Sequence, residues 1–139
     1  FWAAFIVSVA FCFMALPAEH SESAQLHGYL HFLENKAVDG EVLSMHPTVV
    51  AYTDAKVTPM YFPVFNADLS AYWLGYLSKK DAAYIFIDTC EGGMLCPPAD
   101  IACEKAKDNL VEAITKKYKK AYSEESNGCY YWVFSRTQD

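Results

Sequence analysis

The residues best suited to chemistry lie between Asp88 and Gly93, where the chain reads Asp88-Thr89-Cys90-Glu91-Gly92-Gly93. Directly before them runs Ala82-Ala83-Tyr84-Ile85-Phe86-Ile87, a continuous apolar stretch of the kind found in strands buried on both faces. Such a strand delivers an acid and a thiol at its carboxyl end, where open α/β sheets place their active sites. Cys90 is a candidate nucleophile. Gly92 and Gly93 would let backbone N–H groups approach a developing oxyanion. A thiol needs a base or a positive neighbour to become thiolate at neutral pH. The charges flanking this one, Asp88 and Glu91, act in the opposite direction. Cys90 can equally be a half-cystine at the end of a buried strand.

There are five cysteines: Cys12, Cys90, Cys96, Cys103 and Cys129. The last four allow two bridges in three connectivities. Their spacing lacks the close pairs of a zinc site. Cys90 ends one predicted strand and Cys129 begins another, so two antiparallel neighbours would juxtapose them. Cys96 and Cys103 flank the Pro97-Pro98 turn and the start of a helix. The expected pairing is Cys90–Cys129 with Cys96–Cys103, which implies an oxidising compartment. His20, His27 and His31 fall on one helical face with Glu34 nearby. A metal could bridge His27 and His31, but local spacing supplies no third ligand. The face reads as a polar helix surface, and no metal or cofactor is expected. Lys116, Lys117, Lys119 and Lys120 form a basic cluster late in a predicted helix, where they complement the macrodipole. An acidic partner or lipid head groups are the alternative use of that cluster.

The stretch Tyr84-Ile85-Phe86-Ile87-Asp88-Thr89-Cys90-Glu91-Gly92-Gly93-Met94 resembles the nucleophile region of the legumain-like cysteine peptidases, which include the catalytic subunit of the GPI-anchor transamidase. Upstream, Thr48 to Asp54 looks like the family's preceding strand. Met60-Tyr61-Phe62-Pro63 looks like its short extended segment, and Asp68 to Lys80 like the helix before the nucleophile strand. The resemblance spans residues 48–94. It implies a caspase-like fold with Cys90 as nucleophile and a His-Gly pair directly after Asp54. That place holds Ala55-Lys56, and the family's first strand–helix–strand unit has no counterpart. On these departures the chain looks like a truncated relative without peptidase activity, a pseudoenzyme. His46, just before the first strong strand, is the histidine that would have to serve if activity were retained.

The elements that must position these residues follow from periodicity and punctuation. Ser21 or Ser23 can cap a helix to about Asn35, with Leu26, Tyr29, Leu30 and Leu33 on one face. After the Asp39-Gly40 turn, Val42 to Thr53 reads as a strand interrupted at Pro47. Val57 to Phe65 is a second extended run, demoted to an edge by Pro59 and Pro63. Asn66 can cap a helix over 67–78, with Leu69, Tyr72, Trp73, Tyr76 and Leu77 inward. Asp100 can cap another that runs to about Tyr122, with Leu110, Val111, Ile114 and Tyr118 on one face. Asn127-Gly128 turns the chain into a last strand, Cys129 to Ser135. Within it, Tyr130-Tyr131-Trp132-Val133-Phe134 is too apolar for a solvent-facing strand, so it is central in the sheet or part of an interface. The order α-α-β-β-α-β-α-β gives an α+β or α/β domain: an apolar helix followed by one small three-layer unit over residues 18–139.

Composition sets the outer limits. The 139 residues suffice for one compact domain and not two. With 11 Lys+Arg against 17 Asp+Glu the net charge is -6, which argues against a general nucleic-acid binder. Apolar residues at 53% and charged residues at 20% exclude disorder as the main state. Much of the apolar surplus sits in Phe1 to Leu16, where only Ser8 is not apolar. Sixteen helical residues span ~24 Å, close to a hydrocarbon layer of ~30 Å. Cuts after Ala15, Ala18 or Ala24 would leave Phe13, Leu16 or Glu22 at the third-last position, where a signal peptide needs a small residue. Residues 1–17 are therefore read as a membrane-anchor helix ended by Pro17. An uncut signal, or an apolar helix buried inside an assembly, are the alternatives. No Lys or Arg occurs before Lys36, which fits a domain on the side away from the positive-inside face.

These features combine into a non-catalytic, single-pass accessory or structural subunit of a larger membrane protein assembly. Its disulfide-bearing domain would lie in the mitochondrial intermembrane space, the ER or thylakoid lumen, or outside the cell. Its partners would be other membrane-protein subunits, met through the apolar helix and the aromatic surface, and the bilayer, with no nucleic acid. The alternatives are a legumain-like peptidase or transamidase relative using Cys90, and a secreted binding domain with an uncut signal. Alkaline carbonate extraction is expected to leave the protein in the membrane pellet; release into the supernatant would favour the secreted domain.

Overall fold

The computed structural model describes residues 24–60, 65–89 and 94–137. Within them the chain forms α1 (Ala24–Leu30), β1 (Val42–Ser44), β2 (Val57–Pro59), α2 (Ala67–Leu77), β3 (Tyr84–Asp88), α3 (Ile101–Lys117), β4 (Tyr118–Ser126) and β5 (Cys129–Arg136). Short 3-10 turns occupy His31–Leu33 and Pro47–Tyr52. The strands make one mixed sheet in the order β2-β1-β3-β5-β4. β1 runs parallel to both β2 and β3, while β5 runs antiparallel to β3 and β4.

The capping signals work as their chemistry requires. Asn66 Oδ1 accepts from the Leu69 N–H at 2.8 Å and Asp100 Oδ1 from the Cys103 N–H at 2.9 Å, each satisfying a donor left open at a helix start. β3 alternates sharply. Ile85 and Ile87 pack with Trp73 and Leu77 of α2 and Leu110 and Ile114 of α3, while Phe86 packs with Tyr29, Leu30 and Leu33. The continuous apolar run is thus a strand covered on both faces. β5 shares the pattern, with Tyr131 and Val133 toward α1 and Phe134 toward α2 and α3. This strand is interior to the sheet, which explains its aromatic run.

Four expectations need correction. The stretch Thr48 to Tyr52, read as the strong part of a strand and as the legumain-like preceding strand, is a 3-10 turn. Pro47 opens it and His46 Nδ1 caps it by accepting from the Thr48 N–H at 3.3 Å. β1 and β2 are parallel, so the chain between them must cross over, and residues 45–56 do that instead of extending. The first helix ends early, since Asn35 adopts a left-handed φ of 62° just past the His31–Leu33 turn. The helix expected to reach Tyr122 stops at Lys117, and β4 follows at once. A two-residue Asn127-Gly128 loop, with φ of 53° and 78°, joins β4 to β5 as a hairpin, and ladder pairing outweighs the helical propensity of the Lys-rich segment. Tyr72 is 59% exposed and not inward. Ser70 takes the buried place, its Oγ donating to the Ala106 carbonyl at 2.7 Å and tying α2 to α3. Among the described residues no helix is long and apolar enough to cross a membrane. The anchor segment 1–17, the caps Ser21 and Ser23, His20 and Cys90 lie outside the described residues.

One polar hub ties the sheet edge to α2. The Glu41 carboxylate accepts from Thr58 Oγ1 on β2 at 2.5 Å and from the Tyr76 hydroxyl on α2 at 2.5 Å, and pairs with Lys56 Nζ at 2.8 Å. Burial alone would raise the Glu41 pKa, but hydrogen bonds from Lys56, Thr58 and Tyr76 overcome it and hold the group at about 2. The bond to Glu41, then burial, pushes the Tyr76 phenol up to about 12. Because the folded-state value lies below 4.5, the ordinary value, this stabilisation is complete above that pH and is lost as pH falls toward about 2. Glu41→Gln is expected to lower unfolding free energy by about 1–3 kcal/mol near neutral pH. Urea denaturation followed across pH should also show a flatter acid limb for that variant; an unchanged limb would show that the hub carries no linkage.

Candidate functional site

The carboxyl ends of β1 and β3 lie side by side, since Val42 pairs with Tyr84 and Ser44 with Phe86. This is the end of a parallel arrangement where sites form. Asp88, fully buried, closes β3 and lies opposite Tyr131 on β5. Above them sits Tyr29 from α1, also fully buried, with its ring 5.2 Å from Phe86, 5.4 Å from Tyr131 and 6.3 Å from His46. Among the described residues the Tyr29 hydroxyl has no hydrogen-bond partner. Burial first, then the charge of Asp88 and the neighbouring Tyr131, raise its pKa well above the ordinary phenol value. It stays neutral and acts as packing with a polar tip.

His46 lies two residues beyond the Ser44–Phe86 rung, beside the end of β3. Its backbone is pinned by Ser44, whose Oγ donates to the His46 carbonyl at 2.8 Å and accepts from the His46 N–H at 3.1 Å. Its Nδ1 is occupied as the cap of the Pro47–Tyr52 turn. A neutral ring accepting at Nδ1 carries its proton on Nε2, so in this arrangement it has no free lone pair to act as a base. Thr89 fastens the strand end across to β5: its N–H donates to the Tyr130 carbonyl at 3.1 Å and its Oγ1 accepts from the Tyr130 N–H at 2.9 Å.

The described cysteines around this end are half-cystines. Cys96 and Cys103 are disulfide-bonded, with Cα atoms 5.7 Å apart. The bridge closes the Pro97-Pro98-Ala99 turn onto the first turn of α3, and Ala99 is held at a left-handed φ of 66°. Cys129 is also disulfide-bonded, to a partner outside the described residues. Beside the Cys96–Cys103 bridge, Leu95 is 56% exposed and Ile101 81% exposed. Around the corner, a groove of about 400 Å³ runs between α3 and β5, with Met94, Val111 and Trp132 as apolar lining and Lys107, Asp108 and Glu112 as charged lining. Tyr130 stacks on Trp132 at 5.4 Å and Lys120 Nζ lies 4.5 Å from the Trp132 ring.

The histidine face does not converge on a metal. The His27 and His31 rings stack at 3.9 Å, His31 Nδ1 bonds Glu34 at 2.7 Å, and Tyr52 packs on the other side at 3.9 Å. Among the described residues no group of three or more His, Cys, Asp or Glu could hold a metal ion. The Lys cluster divides between the end of α3 and the start of β4, with Lys116 paired to Glu112 at 2.6 Å and Lys117 to Asp81 at 2.5 Å. Sequence reasoning missed the Glu41 hub and the Tyr29–Asp88–Tyr131 group, which bring together residues far apart in the chain. No family model, curated protein or solved structure matches this chain.

The bridge spans a separation of 7 residues. Replacing both Cys96 and Cys103 by Ser is expected to lower stability by about 2–3 kcal/mol on chain-entropy grounds. Equal denaturation midpoints for this variant and the oxidised wild type would mean that the bridge adds nothing.

Proposed function

We propose that the chain is a non-catalytic accessory subunit of a membrane protein assembly, anchored by residues 1–17, with its disulfide-bearing domain on the oxidising side of the membrane. The observation that carries this reading is the apolar surface fixed beside the disulfide, where Leu95 and Ile101 stand 56% and 81% exposed. A covalent bridge and the Pro97-Pro98 turn hold the backbone that carries them, so a partner that covers them loses less entropy in ordering that backbone. The stacked Tyr130–Trp132 pair and the groove between α3 and β5 add further apolar surface around the corner from it. Two half-cystines in described positions beyond the first, Cys103 and Cys129, suit an oxidising compartment and not a thiol enzyme.

Cys90 is the proposed partner of Cys129. Asp88 faces Tyr131 in the β3–β5 register, and the same antiparallel pairing carried two residues further would set Cys90 opposite Cys129. A bridge there removes the thiol that the legumain-like reading needs. That second reading, a peptidase or transamidase relative with Cys90 as nucleophile, draws on one feature: β1 and β3 are adjacent and parallel, and His46 lies two residues past the end of one while Asp88 ends the other. It requires His46 to give up its cap on the Thr48 N–H.

Two outcomes are expected from the solubilised native chain. Leu95→Ser with Ile101→Ser should shift it on native electrophoresis from a large assembly to its own size, while its thermal unfolding is little changed. Non-reducing peptide mapping should recover a Cys90–Cys129 peptide. An electrophilic probe that labels Cys90 without reductant, together with turnover of an Asn-containing peptide, would replace this reading with the peptidase one.

A further inference from the structure

Among the described residues, every histidine bears on one element, the Pro47–Tyr52 turn that carries the chain across from β1 to β2. His46 holds its start, with Nδ1 accepting from the Thr48 N–H at 3.3 Å. His31 holds its end, with its ring 3.9 Å from that of Tyr52 and His27 stacked on it at 3.9 Å. Between the two, Val49 is fully buried and packs with Tyr29, Leu30, Leu33 and Phe86, while Thr48 and Val50 on either side are exposed. The turn is therefore a thin cover, fixed by one inserted side chain and by imidazoles at both ends. Imidazole is the side chain that changes charge between about pH 5 and 8.

We propose that this turn is an acid-operated switch: protonation of His46 unwinds its first half and withdraws Val49 from the α1 face, while the His31 stack keeps Tyr52 in place. The two ends answer a proton in opposite ways. At the start, Nδ1 is an acceptor and must be bare. A proton there sets two donors against each other across the same 3.3 Å, and the cap is lost. At the end, His31 Nδ1 bonds the Glu34 carboxylate at 2.7 Å, and a charged ring strengthens both that pair and its contact with the Tyr52 ring. Two charged rings at 3.9 Å would repel, so the clamp works in mild acid, with one proton on the His27–His31 pair. The other charged groups beside Tyr52 are Lys36 and Asp54, which line the same cleft. Around His46 stand Ser44, which pins its backbone, and Tyr29 of α1 at 6.3 Å; Asp88 of β3 and Tyr131 of β5 act on Tyr29 from behind. α1 keeps its packing on Phe86 and Val133, so the opening is local. In acid the chain thereby offers Val49 beside Val50 as an apolar surface that it lacks at neutral pH. The inference does not depend on the accessory-subunit reading, because it uses neither the disulfides nor Leu95 and Ile101.

Hydrogen exchange followed by NMR on the full chain in detergent tests it, with each amide rate divided by its intrinsic rate at the same pH. Between about pH 7.5 and about pH 5.5 the amides of Thr48, Val49 and Val50 are expected to lose protection roughly fivefold or more, the worth of one helix cap, while β3 and β5 keep theirs. The His31–Tyr52 ring contact, read from nuclear Overhauser effects, should persist at the lower pH. His46→Asn supplies an acceptor that does not titrate and should keep the turn protected at both pH values. His46→Ala should leave it open at both. Protection that does not change with pH in the wild type, or that falls equally in His46→Asn, overturns the proposal. So does loss of the ring contact, or a loss of protection that spreads to β3, since that is unfolding of the whole domain.

Discussion

β3 leaves nearly nothing to water, and the rest of the molecule is arranged around that constraint. Ile85, Phe86, Ile87 and Asp88 are each fully buried. Burial of an Ile or Phe side chain is worth about 1.5–3 kcal/mol, so each face of this strand demands cover. α2 and α3 cover one face, and α1 with the two 3-10 turns covers the other. Neither face is optional. Exposing either would leave large apolar side chains in water.

The edges of the sheet meet a different requirement, since an unpaired strand invites another chain. β2 is three residues long and ends in Pro59. β4 is nine residues long, but Lys119 and Lys120 sit in it and the register slips between Lys120 and Tyr122. The Glu41 hub closes the β2 side by joining two strands and a helix through one carboxylate. These devices direct association away from edge-to-edge pairing and toward faces and ends. The carboxyl end of β3 carries the disulfide, Leu95, Ile101 and the aromatic pair, and the amino end lies beside the junction of α3 and β4, where Lys117 pairs with Asp81.

Local signals made much of this fold legible in the sequence. Asn66 and Asp100 are caps because a short side-chain oxygen must meet a helix N–H within its own first turn. The apolar run before Asp88 is a two-sided strand because no alternation relieves it. Cys96 and Cys103 lie close together because the Pro97–Asp100 turn folds the chain back just before α3 begins at Ile101. The start of the β4 strand is misread from sequence as the end of a helix to about Tyr122, although a hairpin signal stands beside it. A two-residue Asn-Gly loop before a strand requires a partner strand on its other side, so Asn127-Gly128 already marked Tyr118 to Ser126.

The sequence by itself determined the caps, the central strand, the tight turn and the excess of acid, since each depends on residues within a few positions of one another. Only the tertiary structure decided that Thr48 to Tyr52 crosses over as a 3-10 turn, since that follows from β1 and β2 being parallel. It decided that Ser70, and not Tyr72, faces inward, through a carbonyl on another helix. It also decided that Glu41 meets Tyr76, and that Lys117 at the end of α3 meets Asp81 before β3. Strand order and helix direction fix such meetings. They are properties of the closed chain, and no periodicity or composition within a window of sequence contains them.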